Sequence, residues 1–203
     1  MRVLIVSWEY PPIIEGGLAR HVRKLSEHLV AHGVEVHVLT RGGDRLATRE
    51  ERHRVIVHRL REPPFPRDVR AFVRWVETMN ADIVERGAEL VAELGFDLIH
   101  SHDWLVADGA RQVARRAGRP WLVTVHATEY GRHQGWVDKY PQSHIHAAES
   151  EMVHTADHVI TCSRYMRSHV AEVFGLGARR ITAMQNGIDP RDLEPVASDL
   201  AAL

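Results

Sequence analysis

The sequence predicts a doubly wound α/β domain, a parallel sheet covered by helices on both faces, and three observations carry that reading. Short apolar runs alternate with amphipathic stretches along most of the chain. Runs such as Val3-Leu4-Ile5-Val6 are apolar without a break, as in strands buried on both faces. The connections are mostly short and carry Gly, Pro, Asn and Asp.

Each element follows from its own residues. Arg2 to Val6 reads as the first strand, and a loop with Pro11, Pro12, Gly16 and Gly17 follows it. Leu18, Val22, Leu25 and Leu29 make one stripe of a helix that Gly33 closes. Val34 to Leu39 is the second strand and Arg54 to His58 a third. The charged stretch Thr40 to His53, with Gly42 and Gly43, reads as an exposed loop. After Pro63, Pro64 and Pro66, helical spacing runs from Val69 through Leu94 to Gly95, as one long helix or two broken ones. Phe96 to His100 is a strand, and Asp103 is placed to N-cap a helix from Trp104 to Ala117. Pro120 to Val125, His158 to Thr161 and Arg180 to Met184 are the remaining strands. Between them, His144 to Thr155 and the stretch from Ser163 to Gly175 read as helices. Residues 1–190 thus form one Rossmann-like domain, with 191–203 as a linker or tail.

Composition narrows the function. With 203 residues, 44% hydrophobic and 26% charged, the chain can bury a full core. A formal net charge of -1 argues against nucleic-acid binding and polybasic membrane attachment. Cys162 is the only cysteine, so no disulfide framework is expected and a cytoplasmic setting is the default. No stretch approaches a membrane span.

In an open parallel sheet, ligands sit beyond the carboxyl ends of the strands. There the sequence places Ser7-Trp8-Glu9-Tyr10, His100-Ser101-His102-Asp103-Trp104, His126-Ala127-Thr128-Glu129 and Asn186-Gly187. Gly16-Gly17 opens a helix, so bare amides and the dipole would favour an anion such as a diphosphate, or else merely make a tight turn. His126 could hydrogen-bond a sugar hydroxyl, offer its carbonyl to a developing positive charge, or be structural. Asp103 could act as an N-cap alone, and Asn186 as a turn residue. Metal ligation is not expected. His100 and His102 are read as lying on opposite faces, and no cysteine cluster accompanies the 15 histidines.

Ser7-Trp8-Glu9-Tyr10-Pro11-Pro12 with Glu15-Gly16-Gly17-Leu18-Ala19 resembles the opening signature of glycogen synthase-type retaining glycosyltransferases. His102-Asp103-Trp104, His126-Ala127-Thr128-Glu129 and Asn186-Gly187-Ile188-Asp189 resemble that family's other N-domain motifs, in the same order. Gly131-Arg132-His133 with Gly135-Trp136 is similar to the actinobacterial-style α-glucan branch. The resemblance implies the N-terminal half of a GT-B fold, two Rossmann-like domains facing a cleft. It implies UDP-glucose or ADP-glucose as donor, an α-glucan as acceptor and no metal or other cofactor. By the same resemblance, Gly16 and Gly17 approach the donor diphosphate, and Asp103, His126 and Asn186 line the glucosyl pocket. His126 and Asp103 are the catalytic candidates, and Glu9 and Trp104 would contact the acceptor. Two departures stand out. Glu15 replaces the lysine that ADP-glucose-dependent bacterial synthases carry before the paired glycines, and the nucleotide-gripping second domain does not follow. The isolated chain is therefore expected to transfer sugar poorly. The competing reading is a non-catalytic carbohydrate- or partner-binding module.

Overall fold

Val3, Leu4, Ile5 and Val6 are each at most 1% exposed, because the strand that carries them is covered on both sides. That strand is β1, Arg2–Ser7, and its side chains alternate between two cores. Val3 and Ile5 pack with Val22 of helix α1, Gly17–Ala31, whereas Leu4 and Val6 face helices on the other side. The computed structural model describes residues 1–43, 45–61 and 65–190. Pro63, Pro64 and the expected linker at 191–203 lie outside the described residues.

After α1 come β2 (Glu35–Arg41), β3 (Arg49–Arg52) and β4 (Val55–Leu60), then the 26-residue helix α2, Val69–Leu94. β5 (Leu98–His102), a 3₁₀ turn at Trp104–Val106, α3 (Ala107–Ala117) and β6 (Trp121–Val125) follow. The chain continues through α4 (Glu129–Arg132), α5 (Gln142–Thr155), β7 (His158–Thr161), α6 (Arg164–Phe174) and β8 (Ile181–Ala183). The eight strands lie in the order β3-β4-β2-β1-β5-β6-β7-β8, with every pairing parallel except β3 with β4. Strand order reverses between β1 and β5, which places the ligand crevice beyond their carboxyl ends.

Three local readings change. Within the stretch expected to be a loop, Arg49–Arg52 forms an antiparallel edge strand. Its sequence Arg-Glu-Glu-Arg has no buried face, so no apolar pattern could announce it. α2 is one unbroken helix, capped by the Asp68 carboxylate accepting from the Ala71 amide at 2.8 Å. Asp103 does not cap the helix after it. A 3₁₀ turn intervenes, and the Asp103 side chain makes no cap hydrogen bond. Asn80 fixes α3 instead, accepting from the Gly109 amide at 2.7 Å and donating to the Leu105 carbonyl at 2.7 Å.

Candidate functional site

The loop after β1 is organised by Glu9, which is 2% exposed. Its carboxylate accepts from the amides of Glu15 and Gly16, the latter at 3.1 Å. An internal carboxylate thus takes the Gly16 amide, while the space in front of Gly17 is open. The Glu15 carboxylate is ion-paired with Arg41, whose guanidinium stacks over Trp8 at 4.9 Å. Its negative charge therefore has a local partner.

Beyond β5 and β6 lies a group of imidazoles. His100 and His102 project to the same face, their ring centroids 4.5 Å apart, because side chains two apart on a strand share a face. The expectation of opposite faces is corrected by this geometry. His102 Nδ1 and His126 Nε2 are 3.0 Å apart, and His126 Nδ1 lies 3.3 Å from Cys162 Sγ. His21 of α1 closes the group, with its ring 4.7 Å from that of His126. Burial lowers the pKa of His21 and His126 to about 4 and that of His102 well below the ordinary histidine value. These rings are uncharged at neutral pH.

Asp103 stands behind His126. Its backbone is held at φ 59°, ψ 173°, a region that glycine occupies and other residues rarely do. The side-chain oxygen accepts from the His126 amide at 2.8 Å, and the Asp103 amide donates to the Thr124 carbonyl at 3.0 Å. Burial pushes its pKa up to about 6, against the hydrogen bonds from the His126 and Ala127 amides. One turn further on, both oxygens of Glu149 accept from the Glu129 amide at 2.8 and 2.9 Å. Burial raises the Glu149 carboxyl to about 8, so it remains largely protonated at neutral pH. Thr128 caps α4 through the Gly131 amide and meets His169 Nε2 at 2.8 Å.

A cavity of about 580 Å³ opens at this edge, with Gly17, His21, Lys24, His100, Cys162 and Asn186 in its wall. Asn186 lines the same wall as His21 and Cys162. The fold thereby brings Gly17, His21 and Asn186 around one opening, with His126 behind the wall against His21 and Cys162, and Asp103 on the His126 amide. Glu9 is committed to the loop amides. Trp104 is 7% exposed and packs into the core beneath α2 and α3, lining a separate recess with Asn80 and Trp121. His21, Lys24 and Glu149 escaped the sequence reading. His21 had a legible signal, a polar ring on the apolar stripe of Leu18, Val22 and Leu25.

A parallel sheet with its polar groups gathered at the topological switch point defines a Rossmann-like binding domain. The chain belongs to glycosyltransferase family 4, whose family model matches residues 15–192. It is 40% identical to the glycogen synthase of Mycobacterium tuberculosis over 205 residues, spanning 93% of this chain and 49% of that protein. An uncharacterized glycosyltransferase of Methanocaldococcus jannaschii is 32% identical, spanning 96% of this chain and 48% of its own length. The chain thus spans about half the length of these relatives. Among solved structures, sucrose-phosphate synthase from Thermosynechococcus elongatus superimposes with a TM-score of 0.81 at 23% identity, over 97% of this chain and 50% of that one. The Anabaena protein HepE, solved in complex with UDP-glucose, superimposes at 0.61 with 16% identity, over 94% of this chain and 45% of its own. Both structural likenesses speak for the GT-B N-terminal fold. Among the described residues, no helix is long and apolar enough to cross a membrane.

Proposed function

We propose that this chain is the acceptor-side half of a retaining glucosyltransferase that moves glucose from UDP- or ADP-glucose to an α-glucan. The observation that carries the reading is one cavity walled by Gly17, His21 and Asn186, with His126 packed behind it against His21 and Cys162. A volume of about 580 Å³ suits a hexose with part of its diphosphate. The α-glucan acceptor is inferred from the 40% identical glycogen synthase, and a nucleotide-sugar donor agrees with HepE.

In this reading the free Gly17 amide and the positive end of α1 face the diphosphate. Asn186 hydrogen-bonds the sugar. The Asp103 carboxylate holds the His126 amide, which fixes the peptide orientation and keeps strand end and loop in register. The His126 carbonyl then offers a fixed dipole to the oxocarbenium-like centre, a stabilisation that costs no reorganisation during reaction. The leaving diphosphate departs from the face that the acceptor hydroxyl attacks, which retains configuration. The chain spans about half the length of its relatives, so the turnover proposed is that of the whole protein. The Glu9 and Trp104 side chains have no direct place at this opening, which moves the acceptor contact to other residues of the rim.

Calorimetric titration of the chain with UDP-glucose, ADP-glucose and a maltooligosaccharide tests the reading. At least one nucleotide sugar should bind, and Asn186→Ala should weaken it by about tenfold, or about 1.4 kcal/mol. Glucan binding with no response to either nucleotide sugar would instead support a non-catalytic carbohydrate module.

A further inference from the structure

Three imidazoles cluster at and behind the cavity wall, and His21 is the one that lines it. Among the described residues, His21, His102 and His126 are the group of potential ligands whose donor atoms all lie within 4.8 Å of one another. They come from three different elements, α1, the end of β5 and the loop after β6, so the fold and not local sequence assembles them. We propose that His21, His102 and His126 bind a divalent transition-metal ion of the zinc class.

Geometry supports the assignment. Zinc–imidazole bonds of 2.0–2.1 Å in a tetrahedron set the nitrogens about 3.3 Å apart. His102 Nδ1 and His126 Nε2 already face each other at 3.0 Å. Bringing His21 to the same separation takes a shift of about 1.5 Å or less, within reach of a side-chain adjustment on a half-buried helix position. His102 is 0% exposed, so the ligand that the site would seat deepest is already held in place by the surrounding core.

The surroundings fit as well. With Nε2 of His126 on the ion, its ring proton resides on Nδ1, facing Cys162 Sγ at 3.3 Å. A ligating histidine is commonly oriented by such a partner on its other nitrogen. Three neutral nitrogen donors suit zinc, copper or nickel and suit magnesium or calcium poorly. The site overlaps the proposed glucosyl pocket, yet its existence does not depend on that reading. An ion seated there would take the His126 and His21 rings and obstruct a sugar.

The test uses the untagged 203-residue chain, stripped with chelator and titrated with cobalt(II). Saturable visible bands of a tetrahedral centre at one ion per chain, displaced by zinc, are expected. His21→Gln, whose helical position tolerates the change, and His126→Gln should each weaken binding by about tenfold or more while circular dichroism shows an intact fold. His32→Gln, at the C-cap of α1 and outside the cluster, should leave the titration unchanged. No saturable tetrahedral spectrum, or one that survives His21→Gln unaltered, would overturn the site. Failure of nucleotide-sugar binding with an intact cobalt spectrum would count against the transferase reading alone.

Discussion

Asp103 shows how a single residue can set a site without facing the ligand. Its left-handed backbone turns the chain at the end of β5, and its carboxylate accepts from the His126 amide on the neighbouring strand end. The link spans the two loops that carry the pocket. Removing it with Asp103→Ala leaves a partly buried N–H unpaired and should cost about 1–3 kcal/mol in urea unfolding. Asp103→Asn retains an oxygen acceptor, and asparagine tolerates positive φ, so its loss should be well under half of that. Equal losses for the two variants would show that charge, not the hydrogen bond, does the holding. Glu9 plays a comparable role one loop away. Its internal carboxylate occupies the start of α1, where the dipole would otherwise attract an outside anion, while the space beside Gly17 is open.

At the scale of elements, the sheet was legible wherever burial wrote a pattern. β1 and β6 are largely apolar runs because both their faces are covered, and the long stripe from Val69 marks α2 plainly. β3 was illegible because an edge strand of four charged residues buries nothing. The polar strand ends could be recognised as one rim, since parallel topology sends them all to the same edge. Their hydrogen bonds could not, because the Asp103–His126 and Glu129–Glu149 contacts join residues 23 and 20 positions apart. His21 was missed for the opposite reason, its helical stripe having been read as core alone. β2 and β4 carry a further polar pair. His37 Nδ1 and His58 Nε2 are 2.9 Å apart, and both residues are buried. Burial lowers His58 to about 4 and lowers His37 as well. The unfolded chain therefore binds these protons first, and the pair's contribution is complete above pH 6.5 and lost as pH falls towards 4. Wild type should lose its stability advantage over His58→Gln across that interval in pH-dependent urea melts. An advantage that is independent of pH would contradict a neutral buried pair.

The whole molecule is a sheet whose strand order reverses once, between β1 and β5, and every feature of the site follows from that reversal. The cavity lies between α1 and the side chains of His100, Thr124 and Ile160, and Asn186 closes it from the segment after β8. Family 4 membership and a GT-B N-terminal fold account for why such a rim exists. The chain spans about half the length of the relatives it matches. The most direct measurement is backbone amide mapping by NMR on the ¹⁵N-labelled chain during titration with UDP-glucose and ADP-glucose. Shifts confined to Gly17, the His126–Thr128 segment and Asn186–Gly187 are the predicted result. Shifts centred on the opposite, amino-terminal edge of the sheet, or none at millimolar donor, would contradict a sugar-nucleotide site at the β1/β5 switch point.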